Sequence, residues 1–535
     1  MQPESNEPHD IARQLLLRQA DMEARLDRVE NSVLFRALRW VGEKTGYRGN
    51  TGTNQDYSTW VEQSGWMEPS ARECARNIAA WRRPPRISYL VCSPQAAESV
   101  SALPVPPCEM LPFADAGAWQ KAVSQAQGDY SVIVPAGVLL SPLAAYRWGE
   151  LLQDASCDAA SCDAVYSDWD HVAGSGQRHT PRFTPESSPE LLLRTAYWGH
   201  CFLLRTSLLK ELGPDLDPSD PAWTHALALR IAESTKAVAR IPEILWHSTN
   251  VPVAGEPHAD SPADTPAGDA AQASIVICSR TPRLLRKCLQ ALRRSDAAQA
   301  EVVVVAHDCG AGWTLEQIAS AHGARAVRYS GQFHFGVMNA LGVQHSSRPA
   351  IVFLNDDVEP IASGWLSALL RPLRKKEVGI AGGLLLYPDD TIQHAGLSVG
   401  GRPSPSHVAR RQTSSPWWPW LRLTREVAAV TGACLAIRRT VWDELGGFDR
   451  RFQINYNDVD LCLRARRSGY SVILESAALL YHREGQTRAR VVTPAERALF
   501  SSLWTPALAP ADPFFNPNLA LADERIALAH PCLET

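Results

Sequence analysis

Two stretches of this chain repeat one another, and the repeat limits the fold more than any other feature. Gly199-His-Cys201, Arg205 and Glu211-Leu-Gly213 recur as Gly432-Ala-Cys434, Arg438 and Glu444-Leu-Gly446 at the same offsets. Leu227-Ala-Leu-Arg230 then answers to Leu461-Cys-Leu-Arg464. His247 follows Arg230 by 17 residues, and His482 follows Arg464 by 18. This many matches at fixed spacing predict two copies of one fold, over residues 86–250 and 273–490.

The chain has 535 residues, long enough for two domains, each of about 200 residues. The expected order is an N-terminal helix (1–50), a first domain (51–250), a linker (251–272), a second domain (273–490) and a tail (491–535). The linker is read from Val251 to Gln272, where Pro, Ala, Asp and Gly replace any periodic pattern. In the N-terminal segment Leu15, Met22, Leu26, Val29, Val33 and Ala37 form an apolar stripe. That pattern suits a coiled coil for self-association or a docking helix. That is the favoured reading; Leu34 to Val41, with its aromatic and basic groups, also has the character of a peripheral membrane contact.

After the linker, apolar strands alternate with helical patterns. Ser274-Ile-Val-Ile-Cys278, Glu301-Val-Val-Val-Val305 and Ala350-Ile-Val-Phe-Leu354 are continuous apolar runs. Such strands are covered on both faces, as in a parallel sheet wrapped by helices. The fold class expected is therefore α/β, with two tandem Rossmann-like, mostly parallel domains. Leu284, Leu285, Cys288, Leu289 and Leu292 share one face of the helix after the first strand, and Phe335 to His345 is a second helix. Ligands on such sheets bind beyond the carboxyl ends of the strands, which directs attention to the residues just after Leu354.

Those residues are Asn355-Asp356-Asp357. Adjacent carboxylates at a strand end can hold a hard divalent cation, Mg²⁺ or Mn²⁺, against a diphosphate. The plainer reading is a polar turn. The repeat favours chemistry: the first copy has Pro135-Ala136-Gly137 at this turn and Trp223-Thr224-His225-Ala226 opposite Asn457-Asp458-Val459-Asp460. It keeps packing residues and lacks both carboxylate clusters, as a non-catalytic sister domain would. Asn457 begins a helix that runs to Arg467, so one aspartate serves as a cap and the other is available to accept a proton. His482 closes the strand Ala477–Tyr481 and either completes a metal shell or is structural, since His247 persists in the copy without carboxylates.

With these residues in view, the second half resembles the family 2 glycosyltransferases of bacterial surface-polysaccharide synthesis, including rhamnosyltransferase-like members. The matches run in order: Ser274-Ile-Val-Ile277, Phe353-Leu-Asn-Asp-Asp-Val358, Leu386 to Gly396 with Gln393-His394-Ala395, Val430-Thr-Gly-Ala-Cys434, Gly446-Gly-Phe-Asp449, Asn457 to Arg464, Leu480-Tyr-His482 and the closing Asp512 to Leu519. The resemblance implies a GT-A-type (nucleotide-binding glycosyltransferase A) fold, an inverting mechanism, a nucleotide-sugar donor and a saccharide or lipid-linked saccharide acceptor. It implies Asn355, Asp356 and Asp357 as the metal and diphosphate motif, with Asp357 the surest ligand, Asp458 as general base and His482 as a late metal or phosphate histidine. Ser279 and Arg280 would lie against the donor base. The family usually has Asp-Asn-Gly-Ser after the second strand; here Ala306-His307-Asp308-Cys309-Gly310 stands instead, with Asp308 the candidate substitute. The first half looks like the same family in degraded form, recognisable at Tyr166-Ser-Asp-Trp-Asp170 and Pro189-Glu-Leu-Leu192.

Bulk properties narrow the setting. Hydrophobic content of 45% and charged content of 21% describe a core-forming chain. The formal charge of −4 gives no electrostatic reason for a nucleic-acid partner, and the basic run Arg371 to Lys376 reads as a solvated helix face. Twelve cysteines occur without a C-x-x-C pair, several inside apolar runs such as Cys278, Cys434 and Cys462. That argues for a reducing compartment and against structural zinc or a disulfide framework. No apolar window is long enough to span a bilayer and the start is polar, so a cytoplasmic location is expected. Trp417-Trp418-Pro419-Trp420-Leu421 is either an aromatic platform for acceptor sugars or a lipid-linked acceptor, or a buried hydrophobic loop. Two rival functions are a scaffold built from two binding modules and a nucleotidyltransferase. The latter calls for a Gly-rich basic loop where this chain has Ser279-Arg-Thr-Pro282.

Overall fold

The computed structural model describes residues 54–64, 69–81, 83–153, 162–249, 269–307, 312–400, 404–483, 492–504 and 512–529. The expected N-terminal helix, most of the linker and Asp308 lie outside the described residues. The chain divides into two compact units: 1–187 with 195–254 and 528–535, and 188–194 with 255–527. The segment Ser188–Arg194 thus belongs to unit two, as do most of the residues expected to be a tail. The end of the expected linker, Asp269–Gln272, is a 3₁₀ turn whose Ala270 is buried in the core of unit two.

Unit one holds a helix, α1 (Asn54–Ser64), and strands β1 (Ile87–Val91), β2 (Glu109–Pro112), β3 (Tyr130–Val134), β4 (Val138–Leu140), β5 (Ala164–Val172), β6 (Arg178–Arg182), β7 (Leu203–Arg205) and β8 (Val238–Ser248). They lie in the order β2-β1-β3-β7-β5-β8-β4, with β6 against β5. β1 runs parallel to β2 and β3, and β5 runs parallel to β8. β7 is antiparallel to both its neighbours, and β4 is antiparallel to β8.

Unit two repeats these pairings with other strands. β9 (Ala273–Ser279), β10 (Glu301–His307), β11 (Arg325–Tyr329) and β12 (Ala350–Leu354) form a parallel run in the order β11-β10-β9-β12. The hairpin arm β13 (Val358–Pro360) comes next, then β14 (Val378–Leu386) and β15 (Ile392–His394). Short pieces β16 (Leu397–Ser398), β17 (Ser406–His407) and β18 (Arg425–Glu426) come before β19 (Cys434–Arg438) and β20 (Ser471–His482). β19 enters antiparallel between β12 and β14, β14 is parallel to β20, and β13 returns antiparallel on β20. The sheet is therefore mixed beyond β12.

The core follows from the sequence pattern. Ile275, Val276, Ile277, Val303, Val304 and Val305 are fully buried, because helices cover both faces. On one side α2 (Pro282–Leu292) buries Leu284, Leu285, Cys288, Leu289 and Leu292, with proline at its start, where no N–H partner is needed. On the other lies α3 (Phe335–Gln344). A Cβ at Gly342 would stand 2.3 Å from Val276 Cγ1, so only glycine lets α3 approach the sheet this closely.

Candidate functional site

The site grows from the turn after β12. Leu354 ends the strand opposite Cys434 of β19, and Asn355 N–H donates to the carbonyl of Ala433 at 3.0 Å. The turn Asn355-Asp356-Asp357 is thereby held against the residues leading into β19. β13 then pairs with β20 so that Val358 faces His482. That register brings His482 Nε2 to 3.3 Å from Asp357 Oδ1. Both side chains are buried, and among the described residues His482 Nδ1 has no hydrogen-bond partner.

Asp356 turns the other way, toward the end of β9. Ser279 Oγ donates to its Oδ2 at 2.6 Å. Burial, with Asp357 adding to it against the pull of Ser279 and Arg280, pushes the Asp356 carboxyl up to about 6.

Asp458 comes from α4 (Asn457–Arg467), whose N-cap residue Tyr456 makes no side-chain capping bond. Neither aspartate caps the helix in the expected way. Asp458 accepts the Gly432 amide at 2.7 Å on Oδ2 and the Val459 amide at 2.9 Å on Oδ1. Burial raises its pKa above the ordinary aspartate value, and these two amides pull back against it. Asp460 points away, accepting from Arg464 Nε at 2.8 Å and Trp504 Nε1 at 3.1 Å. The residues alone leave open which of the two is available for chemistry, and the resemblance implies Asp458; Asp460 is occupied by Arg464 and Trp504, while Asp458 lines the cavity.

The candidate groups other than Asp460 border one cavity of about 480 Å³. Ser279, Arg280, Asn355, Asp356, Asp357, Asp458 and His482 line it together. Size and mixed lining fall in the range of small-molecule sites. Asp308 is the sequence candidate that lies outside the described residues.

Some wall residues escaped sequence reasoning. His307 ends β10 with Nε2 at 2.9 Å from the Gly331 carbonyl, and its ring leans on Tyr329 and Phe333. Gln393 and His407 also line the cavity. Behind them His394 Nε2 accepts the Thr431 amide at 3.3 Å, which leaves Nδ1–H to donate to His407 Nδ1 at 3.1 Å. The Gln393-His394-Ala395 motif was the signal that could have found them, but the residues alone gave it no role.

The metal expectation meets a specific geometry. Among the described residues no three His, Cys, Asp or Glu side chains gather into a metal cluster, so Asp356 does not join Asp357 and His482 in one. Asp357 and His482 remain as an oxygen and nitrogen pair, with the orphaned Nδ1 of His482 behind it. A small hard cation that takes most of its shell from water and phosphate oxygens needs only one or two protein carboxylates. The pair fits that kind of site.

A family model described as "Glycosyltransferase like family 2" matches residues 271–500. That stretch, less than half of the chain, is similar to the family.

The matched residues carry the whole cavity. Over 399 residues the chain is 29% identical to the O-antigen biosynthesis protein RfbC of Myxococcus xanthus, covering 67% of this chain and 31% of that protein. Over 151 residues it is 29% identical to an N-acetylglucosaminyl-diphospho-decaprenol L-rhamnosyltransferase of Mycobacterium tuberculosis (strain CDC 1551 / Oshkosh), covering 26% of this chain and 48% of the relative. The chain spans about a third to a half of the length of the curated relatives it matches. Among solved structures, GalNAc-T7 with UDP, GalNAc and Mn²⁺ aligns at 16% identity and a TM-score of 0.36, over 43% of this chain and 47% of that one.

The corresponding turn of unit one, between β3 and β4, is Pro135-Ala136-Gly137. There His247 Nδ1 lies 2.5 Å from Asp170 Oδ1, while Asp170 Oδ2 accepts from Tyr57 and Arg178, each at 2.6 Å. His247 is a packed structural residue in that unit.

Of the two readings of the aromatic run at 417–421, the fold favours the buried hydrophobic loop. Trp417, Trp418 and Trp420 are buried, with Trp418 edge-on to Phe515 at 5.5 Å and under the Arg425 guanidinium at 5.0 Å. These rings are core of unit two and offer no platform to sugars or lipid. Among the described residues no helix is long and apolar enough to cross a membrane.

Proposed function

We propose that unit two is an inverting glycosyltransferase that moves a sugar from a nucleotide-sugar donor to a saccharide or lipid-linked saccharide acceptor in bacterial cell-surface polysaccharide synthesis. The observation that carries this reading is the convergence of Asp356, Asp357, Asp458 and His482 on one cavity. The names of the relatives support the polysaccharide setting. In this reading the chain acts in the cytoplasm, at the inner face of the membrane when its acceptor is lipid-linked.

Asp357 and His482 would hold a divalent ion, which when bound neutralises charge on the departing diphosphate. Ser279 and Arg280 face the donor, and Ser279 orients Asp356. Asp458 accepts the proton of an acceptor hydroxyl. That oxygen bonds to the anomeric carbon as the bond from carbon to phosphate oxygen breaks, and the nucleoside diphosphate leaves. One base with no carboxylate nucleophile facing it favours inversion. Unit one, whose matching turn lacks carboxylates, is a degenerate non-catalytic copy in this reading.

The test is a screen of UDP-, GDP- and dTDP-linked sugars with Mn²⁺ and the purified full chain. One donor should raise the thermal transition in a metal-dependent way and release nucleoside diphosphate when acceptor is added. Absence of turnover with every donor would favour the scaffold reading.

A further inference from the structure

The helix α5 (Pro494–Trp504) buries three residues, Glu496, Phe500 and Trp504. Spacing of four puts them on one face of the helix. All three meet the segment that carries Asp458. Glu496 Oε1 accepts the backbone N–H groups of Ile454 at 2.7 Å and Asn455 at 2.9 Å. Its Oε2 accepts Asn455 Nδ2 and Thr493 Oγ1, each at 2.9 Å. Phe500 stacks on the ring of Tyr456, with centroids 4.7 Å apart. Trp504 Nε1–H donates to Asp460 at 3.1 Å.

These contacts flank Asp458 on both sides in sequence. Between them the backbone of Tyr456 has φ of 64° and ψ of 0°, the left-handed region that a bulky residue seldom adopts. Such a conformation persists only where the surroundings fix it. Glu496 fixes the two amides before Tyr456, and Phe500 fixes its ring.

We propose that the buried face of α5 is a positioning device for the base: Glu496 and Phe500 hold the 454–456 turn in its strained form, and that form aims Asp458 into the cavity. Glu496 and Phe500 are positioning residues that act through the turn. Released from them, Tyr456 relaxes, the first turn of α4 shifts, and Asp458 leaves the Gly432 amide. The inference rests on Asp458 being the base.

The experiment uses the full chain, Mn²⁺ and the nucleotide sugar that most raises its thermal transition, following nucleoside diphosphate release. Glu496→Ala should lower kcat by about 100-fold, the scale of an ångström-sized misplacement of a catalytic group, with donor KM unchanged. Its acid limb in the pH–rate profile should move, because Asp458 loses an amide partner. Glu496→Gln, which can still accept both backbone amides, should recover most of kcat. A folded Glu496→Ala with wild-type kcat and pH profile overturns the proposal. If that variant does not fold, Phe500→Leu decides, since it stays apolar but removes the ring under Tyr456; wild-type kcat there overturns the proposal equally. Asp458→Asn is run alongside: if it abolishes turnover while the α5 variants do nothing, only this inference fails. If Asp458→Asn turns over normally, the catalytic reading itself fails.

Discussion

The backbone N–H of Gly432 donates to Asp458 Oδ2 over 2.7 Å, and this bond ties the loop before β19 to the first turn of α4. A Cβ at position 432 would stand 3.0 Å from Phe335 Cζ and 3.5 Å from Asp458 Cβ. Glycine therefore allows the amide to come this close. A carboxylate held by one loop amide and open to a cavity is arranged to take a proton. Asp458→Asn keeps an oxygen for the Gly432 amide and loses the basicity. It should lower kcat by about 10²–10⁴-fold, the usual worth of a positioned base. The donor-induced thermal shift should persist, and a variant with normal kcat refutes the assignment.

The pH dependence comes from the same carboxylate. Asp458 has to be ionised to accept a proton, so activity falls as pH drops through its pKa. Burial raises that pKa above the ordinary 3.8. The acid limb of kcat/KM should therefore lie above the usual aspartate range. A limb at or below 3.8 would show that the Gly432 and Val459 amides outweigh burial.

Much of this was legible in the residues, for physical reasons. β9, β10 and β12 are continuous apolar runs, and burial on both faces leaves that signature. The turn Asn355–Asp357 could be found because it ends such a run and because Pro135-Ala136-Gly137 holds its place elsewhere. Local pattern did not reveal partners distant in sequence. Asp460 and Asp458 look alike until Arg464 and Trp504 are seen to occupy one of them. His247 looks like His482 until Asp170 is found beside it. Glu496 sits in a segment that reads as a tail, and its Thr493-x-x-Glu496 spacing suggests only a helix start.

Glu426 supplies a stability test away from the cavity. It is buried and accepts from the Ser188 hydroxyl and from the Glu190 amide at 3.2 Å. Burial first, with Glu190 adding to it, pushes its carboxyl up to about 7 from an ordinary value of 4.5. A carboxyl raised in the folded state adds stability that is complete below pH 4.5 and is lost as pH rises through about 7. Glu426→Gln removes that dependence. The difference in Tm between variant and wild type should grow in the variant's favour from pH 4.5 to pH 8. A flat difference would show that Glu426 stays ionised in the fold.

Trp418 separates a packing role from an acceptor role. Its ring is buried, meets Phe515 at 5.5 Å and lies under the guanidinium of Arg425. Arg425 is itself buried, with donors on the carbonyls of Leu421 at 2.9 Å and Ala395 at 2.6 Å. Ala395 adjoins His394, which bonds to His407 of the cavity wall, so Arg425, Ala395 and His394 stand between Trp418 and that wall. Truncating a buried tryptophan leaves a void and costs about 3–5 kcal/mol. Trp418→Ala should therefore lower the denaturant midpoint of unit two sharply, while any molecules that remain folded keep the wild-type KM for acceptor. A surface platform would give the opposite result, with stability intact and acceptor KM raised. The edge-on contact with Phe515 also links this loss to the closing segment, so Phe515→Ala should lower the same midpoint. Because the two rings touch, the double variant should cost less than the sum of the two single losses.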